Sequence, residues 1–230
     1  MHLIYSMFKK IHIILFDTQN ILYDKYYTQR VLLDFQKDKY MNISEFNNLT
    51  GKILIASPFA MKGMLYHHSL IYVIHHSDNG AIGFVFNHKT HDMPVSAIFK
   101  DYEIKTEKKI AVYVGGPIDV KHGFFLHTDD YNQGVLVTDH QNKLCISSNP
   151  QILQDIIDNK GPAKITFIIG YTSWGKGQIE EEIKNNLWIV NEPNHELIFD
   201  LHHGESWVNA LNIAGIKSEF FIPTFNNIKN

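Results

Sequence analysis

From Gly51 onward the chain is punctuated: short runs of β-branched, aliphatic and aromatic residues recur, each closed by glycine, proline or asparagine. The most constraining of these are Ser69-Leu-Ile-Tyr-Val-Ile74 and Ala81-Ile-Gly-Phe-Val-Phe86, joined through Ser77-Asp78-Asn79-Gly80. Two apolar runs linked by an Asn-Gly step are the strongest short-range signal for a β-hairpin. Gly83, inside the second run, marks a bulge or a close approach of backbone. Further strands are expected at residues 52–57, 110–114, 123–127, 135–138, 144–147, 163–169, 187–190 and 196–199.

Helical signals fall between them. Residues 94–102 read as a short helix. Asn149-Pro150 starts another, because the asparagine accepts from free first-turn amides and proline loses nothing at the first helical position. Ile152, Leu153, Ile156 and Ile157 follow at helical spacing, and Gly161-Pro162 ends it. Residues 178–186 form a third, with Ile179, Ile183 and Leu187 on one face and Glu180, Glu181 and Glu182 where the helix dipole favours negative charge. The last carries Trp207, Val208, Leu211 and Ala214 and stops at Gly215. No repeat or long linker divides residues 51–230. The expectation is one α+β domain of mostly antiparallel strands with helices laid against them.

The first forty residues differ. A run that is apolar apart from His12, Ile11-His-Ile-Ile-Leu-Phe16, follows Lys9-Lys10, but it is short and lacks a small-residue cleavage site, so it matches a signal peptide poorly. Met41 offers a second start. Residues 1–40 are therefore expected to be an extension outside the core, and 41–230 the domain.

Composition excludes several functions. The formal charge is −3 with 21 basic and 24 acidic residues, which argues against direct nucleic-acid binding through phosphates. No stretch reaches the roughly 20 apolar residues of a membrane helix. The single cysteine, Cys145, allows no intramolecular disulfide, fits a cytoplasmic setting and reads as a small buried filler. Fourteen histidines invite a metal reading, but no His-Glu-x-x-His or cysteine pair occurs. Neighbours such as His67-His68, His75-His76 and His202-His203 would point to opposite sides of an extended chain. No metal and no cofactor is expected, and neither a nucleotide fingerprint nor a nucleophile elbow is present. No catalytic residue is legible.

The stretch Gly170-Tyr-Thr-Ser-Trp-Gly-Lys-Gly-Gln-Ile-Glu180 stands apart. Read as a strand end, a glycine-rich loop and a helix start, it is where binding groups collect. Equally, the glycines make a tight turn, Trp174 caps the core and the glutamates cap the helix.

These segments together resemble the YqgE/AlgH family of bacterial proteins. The resemblance rests on Gly51-Lys-Ile-Leu-Ile-Ala-Ser-Pro58, Tyr66-His-His-Ser69, Asn79-Gly-Ala-Ile-Gly-Phe-Val-Phe-Asn87, Tyr113-Val-Gly-Gly-Pro117, Gly123-Phe-Phe-Leu-His-Thr128, the stretch from Gly170 through Ile183, Trp188 and Trp207-Val-Asn-Ala-Leu. It implies a curved, barrel-like sheet flanked by helices, a cytosolic protein, no established catalytic activity, and, for some members, the label of transcriptional regulator. The family pattern falls on Gly83, Asn87, Gly116, Pro117, Gly123, His127, Gly170, Trp174, Gly177, Gln178, Glu180, Glu182 and Trp188. Two departures stand out. Ala60-Met-Lys-Gly-Met64 lacks the family's acidic residue, and Asn87-His88-Lys89 replaces Asn-Arg-Pro.

The leading expectation is a non-catalytic regulatory protein that works through a protein partner. The alternative is a small-molecule binder or enzyme built from Asn87, His127, Gln178 and Glu180. Convergence of those groups in a concave pocket would favour it, and scatter would not. Gly116 and Trp174 complete the candidate ligand-binding set.

Overall fold

A computed structural model describes residues 48–58, 65–94, 96, 106, 108–200 and 205–216. The expectations for residues 1–40, the Met41 start, Ala60-Met-Lys-Gly-Met64, His202-His203 and most of the 94–102 helix lie outside them. The described chain forms ten strands: β1 (Ile53–Ala56), β2 (Leu70–Ser77), β3 (Gly80–Val85), β4 (Lys89–Pro94), β5 (Lys109–Val114), β6 (Ile118–Thr128), β7 (Val135–Asp139), β8 (Leu144–Ser147), β9 (Ile165–Gly175) and β10 (Trp188–Asn191). Three helices join them: α1 (Gln151–Ile157), α2 (Gln178–Lys184) and α3 (Ser206–Ile213).

The strands make one mostly antiparallel sheet in the order β10-β1-β2-β3-β9-β6-β8-β7. β4 and β5 lie off this path, with β5 parallel to β9. β9 is the spine. Its Phe167–Ile169 half runs between β5 and β6, and beyond Gly170 β3 takes the place of β5. The sheet curls until its two ends meet. The Tyr72 hydroxyl donates to Asp139 at 2.6 Å, the Asn142 amide to the Gly51 carbonyl at 3.2 Å, and His195 Nε2 to the Asn142 carbonyl at 2.6 Å. The β7–β8 turn is thereby tied to β1 and β2, which gives the barrel-like form.

Both faces of the sheet are covered, so its central strands are continuous apolar runs rather than alternating ones. In β1, Ile53 and Ile55 enter the inner cluster while Leu54 and Ala56 enter an outer one. The inner cluster holds Tyr72, Phe84, Phe86, Leu126, Ile168 and the α3 residues Trp207, Ala210 and Leu211. Outside, α2 packs Ile179 over Ile71, Val85, Trp174 and Trp188. α1 packs Ile152 and Leu153 over Val112, Phe125 and Phe167. Each fully buried aliphatic or aromatic side chain contributes roughly 1.5–3 kcal/mol.

The hairpin is present, with a difference. Ser77 pairs with Gly80 across Asp78-Asn79, neither of which takes positive φ, and Gly80 itself opens β3 at φ +125°. A Cβ there would sit 2.1 Å from the Trp174 carbonyl oxygen. The glycine is thus needed for the crossing with β9 as well as for the turn.

Three expectations are corrected. Residues 196–199 are not a strand but part of a π-helical turn, Glu196–Asp200. Asn194 Oδ1 accepts from the Glu196 and Leu197 amides at 2.8 and 3.3 Å and starts the winding, and adjacent Leu197 and Ile198 both face the inner cluster. The strand expected at 163–169 runs on to Gly175, because β3 supplies the ladder that the glycines by themselves would not. Pro94 ends a strand rather than starting a helix. It sits on β4 opposite Lys109, an edge position where a missing amide is tolerated.

Candidate functional site

Most of the motif segments converge at one end of the sheet. Gly116, at φ +155°, brings its backbone so close to β9 that a Cβ would lie 2.2 Å from the Tyr171 oxygen and 2.6 Å from the Thr172 nitrogen. Thr172 in turn hydrogen-bonds the Tyr66 hydroxyl at 2.7 Å. Burial, with the nearby Glu182 charge adding to it, raises the Tyr66 phenol above its ordinary value. Asn87 pins the same loop from the other side. Its Oδ1 accepts from the Leu70 amide and its Nδ2 donates to the His68 carbonyl, both at 2.8 Å.

The loop's histidines are not splayed apart as an extended chain would place them. His68 takes φ +59° in a turn, and its ring stacks between His67 at 3.7 Å and Trp207 at 3.9 Å. Burial of its faces, and then the neighbouring His67 and His88, push its pKa down to about 4. His88 bonds Ser69 Oγ at 3.2 Å and is likewise lowered by burial. The loop is thus held by a ring whose burial disfavours its charged form.

The Tyr66 ring leads to the second group. It lies 5.9 Å from Trp188, which meets Trp174 edge-on at 6.2 Å. Both indoles donate to one carboxylate: Trp174 Nε1 to Glu182 Oε2 at 2.8 Å and Trp188 Nε1 to the same oxygen at 2.7 Å. Gln178 Nε2 donates to the other oxygen at 2.9 Å, and Gln178 Oε1 accepts from the Gly175 amide at 3.0 Å. Glu180, two residues before Glu182, serves a different purpose. Its Oε1 accepts from His76 Nε2 at 2.9 Å, while His76 Nδ1 accepts from the Leu49 amide at 3.1 Å. Glu180 Oε2 is buried without a partner.

A scan against family models matches residues 53–219 to the family described as AlgH-like. The chain belongs to the AlgH-like family. Relatives include uncharacterised proteins of Rickettsia felis, 44% identical over 79% of this chain and 97% of the relative, and of Rickettsia prowazekii, 42% identical over the same shares. Among solved structures, AlgH of Pseudomonas aeruginosa shares 26% identity at a TM-score of 0.63, covering 79% of this chain and 97% of that one. A Corynebacterium diphtheriae protein at 17% identity and TM-score 0.57, covering 73% and 87%, shares the fold.

In this AlgH-like chain, then, Asn87 and Gly116 belong to the Tyr66–Thr172 junction, and Trp174, Gln178 and Glu180 to the β9–α2 corner beside it. His127 stands apart. It is fully buried, donating from Nδ1 to the Thr128 carbonyl at 2.8 Å and accepting the Ser147 hydroxyl at Nε2 at 2.9 Å. The four groups of the alternative reading therefore do not share a pocket. Glu182, the acceptor that joins the corner, carries the family pattern but was absent from the candidate set. Its spacing four residues from Gln178 on α2 was the available signal.

A separate open hollow of about 510 Å³ lies over α1, lined by Asp130, Tyr131, Asn132, Gln133, Gln151, Asp155 and Lys160. Its carboxylates are already engaged, Asp155 by Tyr131 and Gln151, and Asp130 by Thr128 and the Ala163 amide. Among the described residues no group of three or more His, Cys, Asp or Glu is arranged to hold a metal, and no helix is long and apolar enough to cross a membrane. Cys145 is buried, and burial raises its thiol.

Proposed function

We propose that this chain is a cytosolic regulatory protein that acts by docking another protein and performs no reaction of its own. One contrast carries the reading. The polar side chains of the family pattern spend their hydrogen bonds inside the fold, whereas the outermost strand β7 presents two consecutive apolar side chains to solvent, Leu136 and Val137, at 59% and 38% accessible. Exposed apolar groups on an edge strand suit strand addition by a partner. Regulation through a protein fits the formal charge of −3, which a phosphate-gripping surface would not.

The test is a photo-crosslinking residue placed at Leu136 in living cells, with Asn185, just past the end of α2, as the control position. A discrete crosslinked protein from 136 and none from 185 is expected. No crosslink at 136, together with a small-molecule thermal-shift hit lost in Gln178→Ala, would replace this reading with the binder alternative.

A further inference from the structure

The three outermost strands of the sheet are not alike. β4 carries Lys89, Asp92 and Pro94, the charges and proline that blunt an edge. β10 has four residues and runs into Glu192-Pro193. β7 is Val-Leu-Val-Thr-Asp, and its one charge, Asp139, is turned inward to Tyr72 and Asn142. Among the described residues it pairs only with β8, and a register shift between Val135 and Val137 leaves consecutive Leu136 and Val137 exposed.

The described chain begins beside this edge. Asn142 bonds the Gly51 carbonyl at 3.2 Å, and a Cβ on Gly51 would lie 2.6 Å from Asp139 Oδ2. Forty-seven residues precede Asn48, and the stretch Ile11-His-Ile-Ile-Leu-Phe16 among them is apolar but for His12. The roughly thirty residues from Asp17 to Asn47 span about 30 Å as a coil, and β7 is only about 17 Å long. A tether of that length holds its end at millimolar effective concentration.

We propose that the open edge of β7 is the docking place of the chain's own Ile11-His-Ile-Ile-Leu-Phe16 segment, which covers Leu136 and Val137 until a partner displaces it. This rests on β7 being the interaction surface, and it makes the extension an autoinhibitory strap.

The test is hydrogen exchange on the full chain. Amides of Val135–Asp139 should exchange at least tenfold faster in Ile13→Glu/Ile14→Glu than in the unaltered protein, with exchange elsewhere unchanged. An Ile13→Cys/Val137→Cys chain should oxidise to a monomeric disulfide. Equal β7 exchange in the two proteins overturns the proposal. So does a disulfide-linked dimer, which would make a second copy the occupant, or a native chain whose first residue is Met41. Crosslinking from Leu136 in the Ile13→Glu/Ile14→Glu background separates the two readings. Partner capture unchanged by the substitutions removes the strap alone, and no capture from the freed edge removes the partner alone.

Discussion

Three acidic residues stand side by side at the start of α2, and their environments part them. Glu182 accepts from both indoles and from Gln178, whereas Glu180 has one histidine partner and an oxygen that meets nothing. A buried donor stripped of its acceptor costs about 1–3 kcal/mol. Glu182→Ala strands two such indole N–H groups and should lower unfolding stability by about 2–4 kcal/mol in denaturant titration. Glu180→Gln keeps an acceptor for His76 and gives the orphaned position no worse partner, so its cost should stay under about 1 kcal/mol. A Glu182→Ala protein as stable as the parent would show that the two tryptophans find their order elsewhere. The sequence placed Gln178 and Glu182 on one helical face. It could not say which glutamate would meet Trp174 and Trp188, because that depends on where β9 and β10 lie beneath α2.

At the level of elements, what local chemistry dictates was legible and what a distant strand dictates was not. The hairpin, the buried runs of β1, β5 and β8, the turn that leads into α1 (Asn149 Oδ1 accepts the Gln151 amide at 3.0 Å) and the apolar stripe of α3 all follow from neighbours in sequence. The length of β9 does not, since its last residues are strand only because β3 lies against them. Gly116 marks the same limit. In sequence it is one glycine of a Gly-Gly-Pro stop, while in the fold it lets two backbones touch. Gly116→Ala places a carbon within 2.2 Å of the Tyr171 oxygen, where only backbone can move aside. Its cost should exceed the roughly 1 kcal/mol of an ordinary glycine-to-alanine conformational penalty by at least about 2 kcal/mol. The Tyr171–Thr172 amides should then lose hydrogen-exchange protection ahead of the rest of β9. Uniform loss across β9 would assign Gly116 a global role instead.

For the whole molecule, barrel closure and acid response meet at Asp139. Asp139 accepts from Tyr72 across the seam and from Asn142 within its own turn, and although its burial acts the other way, those bonds hold its carboxyl below the ordinary range. His127, His88 and His68 are all lowered, in each case by burial first. A histidine lowered in the fold is protonated more readily when unfolded. Its contribution is therefore complete above the unfolded value near 6.5 and is lost as pH falls toward the folded one, about 4 for His68. A lowered carboxyl contributes above its unfolded value of roughly 3.9 and loses that only as pH falls further. Acid unfolding should accordingly proceed in two windows. As pH falls below 6.5, stability should decline while the unfolded chain takes up protons that His127, His88 and His68 resist in the fold, for His68 over the range down to about 4. Below about pH 4 the seam carboxylate adds its loss. Denaturant titrations at half-unit pH steps on the parent, His127→Gln and Asp139→Asn should flatten the upper window in the first variant and the lower in the second. A parent whose stability is level from pH 7 to 5 would mean that the histidines are equally protonated folded and unfolded.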